Sequence, residues 1–205
     1  MEQPRDSAAS ARHRTEVWAQ LTLCRRDAER IRAFFSEVVG IREEFITKGM
    51  HLTVYHARRP MVGVRSSTEG TKVALYADET RFMVLAPGGE NPRPELDPAR
   101  RKVGIRVQRL SASRLQIESY RERLLLFESS EVLGSRNAST QRSNAFGARS
   151  FQPHMTLLQA GSGIDKDLTK VGKLFRVTFG CFLFDRFEIK VRTTGPVNGH
   201  PDELL

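Results

Sequence analysis

A chain of 205 residues with 39% apolar and 28% charged side chains has the make-up of a globular protein, long enough for one good core or two small fused lobes. No apolar run approaches the roughly 20 residues that cross a bilayer, and the polar residues 1–14 precede no apolar segment of a secretory signal. The surplus of 33 Lys and Arg over 24 Asp and Glu, a net charge of +9, favours a polyanionic partner such as RNA, a nucleotide or a membrane surface. Cys24 and Cys181 form no paired pattern and each adjoins an apolar run, so the expectation is buried free thiols in a cytoplasmic protein.

Residues 1–14 read as a disordered basic tail. Over 16–24, Val17, Ala19, Leu21 and Leu23 alternate with Trp18, Gln20 and Thr22, which is the period of a strand. Asp27 is expected to cap a helix running to about Val39, with Ala28, Ile31, Phe35 and Val38 as its buried stripe and Gly40 as its stop; one helix over 15–39 is the competing reading. Residues 46–57 follow as a strand. After a basic loop containing Arg58, Arg59, Pro60 and Arg65, strand-like runs at 71–76 and 81–86 with a short connection predict a hairpin. Gly88, Gly89 and four prolines over 87–101 mark a loop and a hinge between halves.

The second half begins with a strand over 102–107 and a helix over 111–127, whose apolar stripe is Ile117, Tyr120, Leu124 and Phe127, with Glu118 and Glu122 on the far side. Residues 134–150 form a long Ser-, Asn- and Arg-rich loop of the kind that is functional or mobile. A strand over 151–158, a short helix near 165–174, a closing strand pair at about 175–180 and 182–192, and a polar tail over 193–205 complete the chain. A pattern repeats: the strand at Val17, the helix at Asp27 and His51 answer to the strand at Val103, the helix at Ser111 and His154. The expected organisation is a single domain over 15–192, with lobes at about 15–90 and 100–192 between which strands can exchange.

Two stretches stand at matching ends of this repeat, His51-Leu52-Thr53-Val54 and His154-Met155-Thr156-Leu157. In a strand, positions i and i+2 leave one face, so each His-x-Thr presents an imidazole beside a hydroxyl while Leu52 and Met155 point the other way. Such pairs can move protons and hold an anionic oxygen. The tripeptide alone is not distinctive, since His13-Arg14-Thr15 lies in the tail; its setting in two matched apolar strands is. The plainer alternative makes both residues half-buried histidines bonded to backbone.

Phe-Gln-Pro-His-Met-Thr-Leu-Leu at 151–158, with His-Leu-Thr-Val at 51–54, resembles the signatures of the two-histidine phosphoesterase superfamily, which includes the bacterial RNA 2′,3′-cyclic phosphodiesterases, also called 2′-5′ RNA ligases. The resemblance spans about residues 16–192 in element order and is specific at the motifs. It departs from that bacterial branch at His56, Ala57 and Arg58, where an aromatic residue and then a glycine are usual, and at Gln159, where an arginine is usual. It implies an α+β fold of two pseudo-symmetric lobes, each an antiparallel-rich sheet with helices, enclosing a central cleft with one motif from each lobe and no metal.

The expected activity is metal-independent cleavage of a nucleotide or RNA phosphodiester: a 2′,3′-cyclic phosphate, a 2′-5′ linkage or a small cyclic oligonucleotide. One of His51 and His154 takes a proton and the other donates one, in an order the sequence leaves open, while Thr53 and Thr156 bind the non-bridging oxygens. Tyr55 continues the strand face of His51 and is a candidate for substrate stacking; His56, of opposite parity, reads as structural. Arg58, Arg59 and Arg65 on one loop and Arg136, Arg142 and Arg149 on the other are candidate rim cations. Phe146 and Phe151 are candidate platforms, although Phe151 at a strand start also suits the core. No metal motif, Walker-type sequence or lipid-binding motif occurs, so a monomer without cofactor or membrane partner is expected. The rival reading is an RNA- or nucleotide-binding module with the same cleft and little catalysis.

Overall fold

In the computed structural model, the described residues are 14–57, 61, 63–85, 101–133 and 151–194. Most of the expected tails, nearly all of the hinge and the whole 134–150 loop lie outside them; Arg14, Thr193 and Thr194, expected in the tails, belong to strands instead. Seven strands, β1 (Arg14–Leu23), β2 (His51–Ala57), β3 (Ser67–Tyr76), β4 (Thr80–Leu85), β5 (Lys102–Val107), β6 (His154–Leu158) and β7 (Cys181–Thr194), form one antiparallel sheet in the order β3-β7-β1-β2-β6-β5-β4. Helices α1 (Arg25–Ala33), α2 (Ala112–Leu133) and α3 (Leu168–Thr178) complete the α+β fold. No helix among the described residues is long and apolar enough to cross a membrane.

Alternation in the strands divides the sheet into an apolar and a polar face. Val17, Ala19, Leu21, Leu52, Ile105, Met155 and Phe187 are buried on the first. The helices contact the sheet there: Tyr120 of α2 packs on Phe187, and Phe34, at the end of α1, meets Phe175 of α3, which stacks on Phe182. Offset and edge-on ring pairs at 4.7–5.6 Å among Phe34, Phe175, Phe179 and Phe182 make this the densest part of the core.

The two expected strand-helix-strand units are present as β1-α1-β2 and β5-α2-β6, each with its strands adjacent and antiparallel. Other expectations need correction. The runs at 71–76 and 81–86 are not a hairpin: β3 pairs with β7, β4 pairs with β5, and they form opposite edges of the sheet. Ala77–Glu79 is a 3-10 turn without the Gly or Asn that a two-residue hairpin turn uses, and its carbonyls and amides bond outward, Ala77 N–H to the Gly180 carbonyl and Gln108 N–H to the Glu79 carbonyl. A flat seven-stranded sheet would hold its edges about 29 Å apart, whereas the few residues between Tyr76 and Thr80 reach no more than about 14 Å. The sheet therefore curls, and its two sides approach where Phe175 touches both Phe82 of the edge strand β4 and Phe182 of β7, which lies next to the other edge, β3.

The first helix begins after Cys24, not Asp27; Asp27 lies in the first turn, where its carboxylate accepts the Leu183 N–H at 2.8 Å and tethers α1 to β7. It ends at Ala33 and continues as a π turn over Phe34–Val38, which turns Val38 out of the expected stripe to 62% exposure before Gly40 (φ 78°) closes the segment. Residues 175–180 are not a strand: the buried pair Val171 and Phe175 follows helical spacing and α3 runs to Thr178, leaving β7 to close the sheet alone. Ile46 forms only an isolated bridge to Leu158, so β2 starts at His51. In α2, which Ser111 caps through the Arg114 N–H, Ile117 and Leu124 are buried and Phe127 is exposed.

Beside the second motif, Gly104 of β5 pairs with Thr156 at a register shift. A Cβ on Gly104 would strike the Met155 carbonyl oxygen and the Leu85 side chain. We expect Gly104→Ala to lower folding stability by about 2 kcal/mol, the scale of an overpacked core, as read from the midpoint of denaturant unfolding. An unchanged midpoint would show that β5 and β6 are not held this close.

Candidate functional site

Strands β2 and β6 touch at one residue pair, Leu52 opposite Met155. Both side chains are 0% exposed and enter the core. Their neighbours His51, Thr53, His154 and Thr156 therefore leave the polar face, all four half-buried. Because the strands are antiparallel, one step from that pair in either direction sets the histidine of one motif against the threonine of the other.

The two imidazoles are held alike. His51 Nδ1 lies 2.7 Å from the Gly49 carbonyl oxygen, and His154 Nδ1 lies 3.0 Å from the Gln152 carbonyl oxygen, in each case two residues upstream. A carbonyl can only accept, so Nδ1 carries the hydrogen in both rings. A neutral ring then has its lone pair on Nε2, where it can accept a proton, and a charged ring has an Nε2–H to donate. The plainer reading, histidines tied to backbone, is met by one nitrogen of each ring and leaves the other for chemistry.

Burial lowers the pKa of His51 below its ordinary value; the Lys190 ammonium and His154 add to this, and the Gly49 bond and the Glu188 carboxylate oppose it. The two motif histidines are thus close enough to sense each other's charge. Trp18 stands edge-on to His51, with ring centroids 6.3 Å apart. Next in register, Gln20 of β1 faces Glu188 of β7 and donates to it at 2.8 Å, while Lys190 lies 2.9 Å from the same carboxylate. Burial alone would raise the Glu188 carboxyl, but Lys190 and Gln20 hold it below the usual carboxylate range, so it stays ionised beside His51.

Tyr55 does not continue the His51 face. The β1–β2 register runs Gln20 to Thr53 and Ala19 to Tyr55, so Val54 is an extra, bulged residue. The bulge reverses side-chain parity, sending Tyr55 into the core at 1% exposure and bringing His56 onto the face of His51 and Thr53. There the His56 ring packs on Trp18 at 4.6 Å. Sequence parity thus missed His56, and it also missed Trp18, Glu188, Lys190 and Arg106, the register partner of His154. Alternation in β1 already set Trp18, Gln20 and Thr22 on the polar face, but nothing local announced which strands would lie beside them.

Among the expected basic residues, Arg65 is exposed, while Arg58, Arg59, Arg136, Arg142 and Arg149, like Phe146, lie outside the described residues. Phe151 is half-buried ahead of β6, with the Arg121 guanidinium 4.5 Å and the Arg114 guanidinium 5.9 Å from its ring centre. Gln159 donates its backbone N–H to Phe45 and its amide to Thr47, bracing the loop that leads to His51. Cys24 and Cys181 are free and half-buried, and burial pushes both thiols up, away from the thiolate form. No group of three or more His, Cys, Asp or Glu among the described residues is arranged to hold a metal ion.

No protein-family model, characterised protein or solved structure matches the chain.

A proton-resolved titration tests the electrostatics. The His51 midpoint should lie below 6.5, rise in Lys190→Gln and His154→Gln, and fall in Glu188→Gln. The same lowering links to stability: the unfolded chain binds the His51 proton more tightly, so the contribution is whole above about pH 6.5 and is lost as pH falls toward the folded pKa. His51→Gln should flatten that part of the stability profile relative to wild type.

Proposed function

We propose that this protein is a metal-independent phosphodiesterase that cleaves a nucleotide or RNA phosphodiester by acid–base catalysis between His51 and His154. The observation that carries the reading is the Leu52–Met155 pair, from which two oppositely directed His-x-Thr motifs share one face with matching Nδ1–carbonyl bonds. Its lowered pKa makes His51 the proton acceptor, neutral at working pH, toward an attacking water or ribose hydroxyl. His154 then donates to the leaving oxygen. Thr53 and Thr156 donate to the non-bridging oxygens as charge develops there. Within the sheet, the strand groups β3-β7-β1-β2 and β6-β5-β4 pair only through Leu52 and Met155, and lobes built on them with a cleft at that pair would suit the reading.

Substrates in scope are a 2′,3′-cyclic phosphate, a 2′-5′ linkage and a small cyclic oligonucleotide. Incubating such a panel with wild type, His51→Ala and His154→Ala in chelator, and resolving products by chromatography, tests the proposal. Wild type should turn over at least one substrate, and each variant should lose at least about 10²-fold in rate. Thr53→Ala and Thr156→Ala should each lose about 10²-fold, as for an oxyanion donor. The pH profile should be bell-shaped, its acid limb reporting His51 and lying below 6.5. A strict need for added divalent ion, or equal turnover by the histidine variants, would sink the mechanism.

A further inference from the structure

Two hollows lie beyond His154, with one residue, Arg81, lining both. One, of about 540 Å³, is lined by Arg81, Arg106, Arg109, Arg114, Phe151 and Gln152 among others. The other, of about 320 Å³, is lined by Arg81 and Phe82 of β4 and by Thr169, Gly172, Lys173 and Arg176 of α3. Arg81 lines both, so the two hollows lie on either side of one side chain, the first beside the site and the second between the edge strand β4 and α3; taken in sequence they form one track. Its near end is tied to the site by two links. Arg106 is the register partner of His154, and Gln152 provides the carbonyl that accepts the His154 Nδ1–H.

The charge along this track has one sign. No carboxylate lines either hollow among the described residues. Arg114 is committed to Glu118 at 2.7 Å and to the Phe151 carbonyl at 2.6 Å, and it serves as wall. Arg81, Arg106, Arg109, Lys173 and Arg176 form no ion pair with any described residue. Five uncompensated cations in a concave surface focus a positive potential, and the guanidinium fork matches the oxygens of a phosphate. On α3, Thr169, Gly172, Lys173 and Arg176 follow helical spacing and share one face. Gly172 lets that face come close to β4, since a Cβ there would press on the Phe82 ring. Phe82, packed on Phe35 and Phe175, and Phe151, beside the Arg114 and Arg121 guanidinium groups, are half-buried and leave only part of each ring at the lining.

We infer that this track is a binding site for a single-stranded nucleic-acid backbone, which makes the favoured substrate an oligonucleotide whose reacting end lies at His51 and His154. Repeated phosphates answer the row of cations, and bases answer the rings. A flat bilayer cannot follow a track that turns round a sheet edge. An acidic peptide brings charge without bases. The backbone site stands on the track alone; only the delivery of an end to the histidines rests on the phosphodiesterase reading.

Fluorescence anisotropy of a labelled uridine octamer against salt tests it, using the full chain, Arg81→Gln, Arg176→Gln and their double variant. Arg25→Gln is the control, a 91% exposed guanidinium on α1 paired with Glu29. The double variant should bind about tenfold more weakly, and the slope of log Kd on log salt should fall by about 0.7 for each phosphate that is no longer neutralised. The control should match wild type. No octamer binding by wild type, an equal loss in the control or an unmoved slope overturns the inference. So does equal competition by an octaglutamate peptide or by vesicles one-quarter phosphatidylserine.

A second measurement separates the two readings: hydrolysis of a 2′,3′-cyclic uridine nucleotide and of an octamer with the same cyclic end. The octamer-to-mononucleotide ratio of kcat/KM should fall about tenfold in the double variant, through KM. Binding that depends on the track without turnover of either substrate removes the phosphodiesterase reading and keeps the track. Turnover with an unchanged ratio and track-independent binding does the reverse.

Discussion

The site hangs on the antiparallel contact of Leu52 with Met155. A ladder one pair long contributes little through its hydrogen bonds, and what holds the two strands in register is the burial of these side chains, each fully withdrawn from water. Burial of side chains this size stabilises by about 1.5–3 kcal/mol each. The same alternation that drives Leu52 and Met155 inward obliges the residues on either side to face out. Position of the motifs and cohesion of the sheet are thus one requirement, and a slip of either strand by one residue would bury its histidine and expose its core residues.

On that face the bulge at Val54 acts as a parity switch. Without it, Tyr55 would stand beyond Thr53 and His56 would lie in the core. With it, the phenol joins the apolar side, and the polar face gains an imidazole packed at a tilt on Trp18, which itself leans edge-on against His51. The lowered pKa of His51 has a comparable origin, first in burial and then in neighbours from elsewhere in the chain: β7 brings the Lys190 ammonium, which lowers it further, and the Glu188 carboxylate, which opposes the shift.

What could be read from the chain followed from how local the cause was. Period-2 alternation marks β1, and helical spacing of Ile117 and Leu124 marks α2; each element carries its own signal. β5 coincides with the expected 102–107 strand. The paired His-x-Thr strands were legible because the repeat set them in equivalent places. The partners of β3 and β4 were not, since a short connection normally signals a hairpin and only the rest of the sheet decides otherwise. The run at 175–180 is rich in Phe, Val and Thr, which suit a strand, yet burial of Phe175 against Phe34 and Phe182 draws it into α3. A bulge has no composition of its own, and so Tyr55 and His56 exchanged places against expectation.

The position of β7 has a temporal meaning. It is the last strand among the described residues, yet it lies between β1 and β3 and pairs with each along most of its length. Until residues 181–194 have been synthesised, β1 and β3 each present an unsatisfied edge, open to strands of other chains. Pairings between the first and last strands close the longest loops in the chain, and such contacts form slowly. A nascent chain can therefore assemble the β1-α1-β2 and β5-α2-β6 units early, but the polar face lacks Glu188 and Lys190 until β7 has been synthesised. The charged surroundings of His51 are thus completed by the joining of β7 and not by the appearance of the second histidine.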